Sequence, residues 1–188
     1  MIDEIINKIR NEIKTVFDEV YEWFNVNEGQ LNYEPKNGGW NIRKVLEHIS
    51  LTNHFLLILI KKGTIKSIAK AKNTVYARLL IDYDIDWIKL KAIGEHQSFY
   101  WNRPEHMEPT GTVDLAAIKS KLQQQLTESL DYLTQLKNGE GILYKTTMSV
   151  NDLGKIDVYH YLVFLALHTK RHLTQLEKIK AEFKINLN

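Results

Sequence analysis

The run Tyr161-Leu162-Val163-Phe164-Leu165-Ala166-Leu167-His168-Thr169-Lys170-Arg171-His172-Leu173-Thr174-Gln175 lies inside a helical pattern from about residue 157 to 183. One face of that helix, through Tyr161, Phe164, Leu165, His168, His172, Gln175 and Ile179, is apolar apart from two imidazoles, an amide and a phenol hydroxyl. A face of this kind needs other helices to cover it. His168 and His172 stand at i and i+4, on one side and about one turn apart, close enough to share a metal ion.

Three further helices read out upstream. Ile2, Ile5, Ile6, Ile9, Ile13, Val16, Phe17, Val20 and Phe24 follow the helical period over residues 2–24. Residues 25–39 are polar, with Gly29, Pro35 and Gly38-Gly39, and predict a loop. Asn41 is a natural N-cap for a second helix to about Lys62, which Gly63 should end. Its inward stripe, Val45, His48, Leu51, Thr52, Phe55 and Leu59, contains a third histidine. Residues 64–110 form a long crossover. Residues 65–80 have moderate helical character, and the alternating residues 81–86 have no evident partner strand and read as extended or turn. Pro104, Pro109 and Gly111 mark the end of the crossover. A third helix over about 113–136 carries Leu115, Ile118, Leu122, Leu126, Leu130 and Leu133, and Asn138-Gly139-Glu140-Gly141 breaks it. Residues 142–150 allow a short extended piece before Gly154. The expectation is an all-α four-helix bundle in one domain spanning 1–188. Its long second connection lets helices two and three run parallel.

Composition narrows the function. Hydrophobic residues at 44% and charged residues at 26% describe an ordinary globular chain, and a net charge of +2 does not suggest a nucleic-acid binder. Lys61, Lys62, Lys66, Lys70 and Lys72 lack regular aromatic interleaving and read as a solvated face. No cysteine is present, so disulfides, thiolate ligands and Cys nucleophiles are excluded, and any metal must be held by nitrogen and oxygen. The most apolar run, Phe55-Leu56-Leu57-Ile58-Leu59-Ile60, is far short of the roughly 20 residues that span a bilayer. The early acidic N-terminus is unlike a secretory signal, so the expected location is cytoplasmic, with no membrane partner.

If the second and fourth helices pack face to face, His48, His168 and His172 converge and leave coordination positions open, as in catalytic rather than closed structural sites. Burying three imidazoles without a partner is costly, and a metal removes the difficulty. Unlike the His-Glu-x-x-His peptidases, the residue after the first histidine of the pair is Thr169, so no general base is built in. Gln175 and Tyr161 lie on the same face: Gln175 is a candidate for orienting a ligand or equally a buried helix contact, and Tyr161 could reach the pocket but reads first as a core tyrosine with a satisfied hydroxyl. Glu47, Glu128 and Asp131 are candidate acceptors behind the ligands. Trp40 should pack at the entrance of the second helix, and Arg171, off the histidine stripe, should pair with an acid. His54 and His160 fall away from the ligand face, while His96 and His106 in the crossover could line a cleft.

Three stretches also resemble the DinB/YfiT-like metalloenzyme superfamily, the damage-inducible four-helix proteins and not the polymerase of that name. They are Trp40 to His48, Arg103-Pro104-Glu105 through Glu108-Pro109-Thr110-Gly111, and the closing H-x-x-R-H-x-x-Q pattern from His168 to Gln175. The resemblance implies an up-down-down-up bundle with one divalent metal on His48, His168 and His172. Some relatives are transferases or isomerases that use low-molecular-weight thiols. Many carry a His-Pro shortly before the glycine preceding the last helix, where this chain has Asn151-Asp152-Leu153-Gly154.

Together these readings predict a metal-dependent enzyme that activates a thiol or water for transfer to, or hydrolysis of, a small molecule. Zinc or nickel is the expected ion, ahead of iron or manganese, since imidazole serves several of them. A homodimer is the expected assembly. The competing expectation is a non-enzymatic metal-binding or helical interaction module in a stress response.

Overall fold

The computed structural model describes residues 2–100 and 104–186, so Arg103 lies outside the described residues. Helix α1 (Ile2–Glu22) buries Ile6, Ile9, Ile13, Val16, Phe17 and Val20, the inward positions of its period. The segment read as loop contains a single turn, α2 (Glu28–Leu31), capped by Asn27, whose side chain accepts from Gln30 N. Asn41 caps α3 (Ile42–Ala71) as expected, accepting from Lys44 N at 3.0 Å. The predicted end at Gly63 is corrected: α3 runs through it for 30 residues. A Cβ at Gly63 would lie 2.8 Å from Val158 Cγ2, so the glycine permits close approach and does not stop the helix.

The crossover holds an eight-residue helix, α4 (Trp87–Gly94), that the sequence reading missed. Asp86 caps it and Leu90 and Ile93 are buried, but eight residues are too few for a clear period. Residues 81–86 form no strand. Helix α5 (Leu115–Gln135), capped by Asp114, buries Ile118, Leu122 and Leu133. Beyond it the expected extended piece has a local partner: β1 (Lys145–Met148) pairs antiparallel with β2 (Gly154–Asp157), Lys145 opposite Asp157. Helix α6 (Val158–Asn186) follows β2 directly. Asp157 serves as its cap, accepting from the backbone N–H of His160 at 3.1 Å.

The described residues are mostly helical, with this small hairpin as an addition. Helix α6 packs on α1, α3 and α4, while α5 packs on α3 and α1. The first half of α6 is buried nearly all round, from Val158 to Thr169 with only His160 partly open. That is broader than the single face expected, because α4 and the hairpin cover what four helices alone would leave wet. Among the described residues no helix is long and apolar enough to cross a membrane.

Candidate metal centre

His48 sits two turns into α3, and His168 and His172 lie in the middle of α6, where the two helices pack together. All three are buried, at 3%, 2% and 7% exposure. One ligand nitrogen from each lies within 4.8 Å of the others. His168 Nε2 and His172 Nε2 are 3.2 Å apart. Two nitrogens on a tetrahedral zinc, each about 2.0–2.1 Å from it, stand about 3.3 Å apart, so the pair fits one ion without moving its helix.

Neighbours set which nitrogen faces the cluster. A carbonyl can only accept, so the 2.8 Å contact between His48 Nδ1 and the Met107 carbonyl puts the proton on Nδ1 and turns the Nε2 lone pair inward. Gln175 Oε1 does the same for His172 Nδ1 at 2.9 Å. A ligating histidine usually has its other ring nitrogen engaged in this way. Burial, with the neighbouring imidazoles adding to it, holds His168 and His172 well below the usual histidine range. Both are neutral at pH 7, the form that binds metal, and with the His172 proton on Nδ1 the 3.2 Å contact has His168 donating its Nε2–H to His172 Nε2. Phe164 stacks parallel to His168 at 6.5 Å, and Trp40 leans on His48 with ring centroids 4.6 Å apart.

The cluster is not sealed. It lines a cavity of about 720 Å³ together with Trp40, His96, Phe99, Tyr100 and Glu108. Trp40 therefore does more than close the start of α3. Its indole N–H donates to Glu108 Oε1 at 3.1 Å and its ring forms a wall above the ligands.

Residues 12–176 match the family model of the DinB superfamily. The chain belongs to the DinB superfamily. No curated protein and no solved structure matches the chain.

Within this DinB superfamily chain, the other sequence candidates take varied places. Gln175 orients His172 and lines the cavity. Tyr161 does not reach it: its hydroxyl accepts from Thr146 Oγ1 at 2.8 Å and serves the hairpin. Glu47 is buried beside His48 but faces the crossover, accepting from Thr110 N and Oγ1 and from Gly111 N at 2.7–3.0 Å. Glu128 and Asp131 accept from Gln124 and Gln135 on their own helix. None of these three acids stands behind a ligand. Arg171, expected off the histidine stripe and paired with an acid, is part of the same cavity. It donates to the Glu95 carbonyl and Ser98 Oγ. His96 lines the cavity, whereas His106 packs edge-on against Phe55 and His160 binds Asp157. The Met107 carbonyl was illegible in the sequence, since any residue there supplies the same backbone oxygen.

Proposed function

We propose that this DinB superfamily protein is a metal-dependent enzyme acting on a small molecule, with one divalent ion, zinc or nickel, held by His48, His168 and His172. The single observation that carries the reading is the set of converging imidazole nitrogens at the floor of an open cavity of about 720 Å³. A structural ion is normally enclosed by four protein ligands, and three with solvent access fit a catalytic site better. When bound, such an ion acts as a Lewis acid and holds a thiol or a water in its more nucleophilic form.

The chain's own residues do the rest. Met107 and Gln175 keep the Nδ1 protons of His48 and His172 in place, so each Nε2 carries the lone pair, with Thr52 Oγ1 at 3.4 Å from the first and His168 Nε2 at 3.2 Å from the second. Trp40 and Phe99 wall the cavity with aromatic surface that excludes water around a bound molecule. Transfer of a small thiol to an electrophile, or hydrolysis, is the reaction class this arrangement supports. The four long helices are read as an up-down-down-up bundle that brings the second and last together for this purpose.

Elemental analysis of the untagged protein tests the reading, beside His48→Ala and His168→Ala. The expected result is about one ion per chain in the wild type, lost in both variants, with turnover of a thiol–electrophile or ester pair lost alongside. No ion after reconstitution would overturn it. An ion without turnover would favour a non-enzymatic metal-binding module.

A further inference from the structure

The cavity has a cationic wall as well as a histidine floor. Arg171, 8% exposed and adjacent in sequence to His172, lines it. The loop after α4 sets its guanidinium: Nη1 donates to the Glu95 carbonyl and to Ser98 Oγ at 3.2 Å, and the Phe99 ring centre lies 5.6 Å from Cζ. Beside it, Lys178 Nζ donates to His96 Nδ1 at 3.1 Å. An ammonium can only donate, so Nδ1 is the acceptor and the neutral ring carries its proton on Nε2. His96 itself lines the cavity. The wall therefore combines a guanidinium, an imidazole N–H donor and a neighbouring ammonium. Glu108, the acid of the lining, is engaged by the Trp40 indole.

We propose that Arg171 and His96, with Lys178 outside the cavity holding the His96 ring through Nδ1, form a subsite for the carboxylate of a small organic anion whose other end reaches the histidine cluster. The planar fork of an arginine matches a carboxylate in shape as well as charge. Here the fork is held by the loop before any ligand arrives, which lowers the ordering cost of binding. Among the described lining residues Arg171 is the cation, while Glu108 keeps its negative charge under the Trp40 indole, so the pull on a carboxylate is the local one at the guanidinium. Trp40 and Phe99 give the body of the ligand a flat apolar surface, so the class is a carboxylic acid with an apolar or aromatic middle. This deepens the metal-centre reading and rests on it only for what the far end of the ligand meets.

The test titrates the full chain, metal-free and zinc-loaded, with phenylacetate and with uncharged phenylacetamide, by calorimetry and amide NMR shifts at fixed ionic strength. In the metal-free protein the acid should bind about tenfold more tightly than the amide, the worth of one charge-assisted pair. Arg171→Met should abolish that preference. Lys178→Met, at an exposed position that leaves the fold alone, should reduce it about threefold, as for an exposed charge. Equal binding of the two compounds, binding of neither, or a preference that survives in both variants would overturn the subsite. So would a preference seen only with zinc and kept in Arg171→Met, since the carboxylate would then sit on the ion. Failure of zinc to bind would sink the proposed function alone, because the metal-free titration decides the subsite.

Discussion

Gln175 gives a histidine on a helix the orientation of a candidate ligand. Its amide oxygen holds the proton on His172 Nδ1, and without it the ring is free to rotate or change tautomer. Gln175→Leu should weaken zinc affinity by about 10–100-fold while leaving the helical circular dichroism unchanged. Competition against a chromophoric chelator measures this, and unchanged affinity would show that the amide is only a helix contact. Tyr83 makes a second residue-scale prediction. Burial first, then the Asp157 carboxylate that accepts from its hydroxyl at 3.1 Å, pushes its phenol far above the usual value. Below about pH 10 both folded and unfolded chains keep this proton and the stabilisation is complete. Above it the unfolded chain releases the proton first, so stability falls as pH rises. In melts from pH 8 to 11.5 that fall should be shallower for Tyr83→Phe, by up to ~1.4 kcal/mol per pH unit.

Element-scale behaviour turns on where α3 meets its neighbours. Gly63 lies in the interior of a 30-residue helix, where alanine would normally gain about 1 kcal/mol. Its missing Cβ is the space that Val158 Cγ2 occupies, so Gly63→Ala should lower the melting temperature. Adding Val158→Ala should recover part of the loss. A stabilised Gly63→Ala would mean that α3 and α6 are less closely packed there. At the other end of α3, Glu47 ties down residues 110–111 through three hydrogen bonds. The same stretch of chain carries the Met107 carbonyl that orients His48. Glu47→Ala strands two backbone donors, while Thr110 Oγ1 keeps Thr112 Oγ1 at 2.8 Å, and should cost roughly 2–4 kcal/mol in urea unfolding. It should also weaken zinc binding, although Glu47 is not placed to touch the ion. Thr110→Val, which removes one of the three, should cost about 1 kcal/mol and leave zinc affinity nearly intact.

For the whole molecule, the three histidines lie where α3 crosses α6, so an ion held by them would clamp the two together. Zinc at about 100 times its dissociation constant should stabilise the fold by ~2.7 kcal/mol. Chelation should lower the wild-type melting temperature and leave that of His168→Ala unchanged; equal shifts in the two would place the stabilising ion elsewhere. Much of this was legible in the sequence. Local periodicity exposes four long helices, because each apolar stripe repeats within its own segment, and the i, i+4 pair of His168 and His172 needs only helical geometry. Asn41 as a cap and His48 on an inward stripe are readable for the same reason: they depend on residues a few positions away. The tertiary structure alone decided that Gly63 is a packing site, that α4 exists, that Glu47 serves the crossover, and that Arg171 and His96 share the histidine cavity. These depend on contacts between residues about 60 to 95 positions apart, or on a backbone carbonyl such as that of Met107, for which no side chain gives a signal.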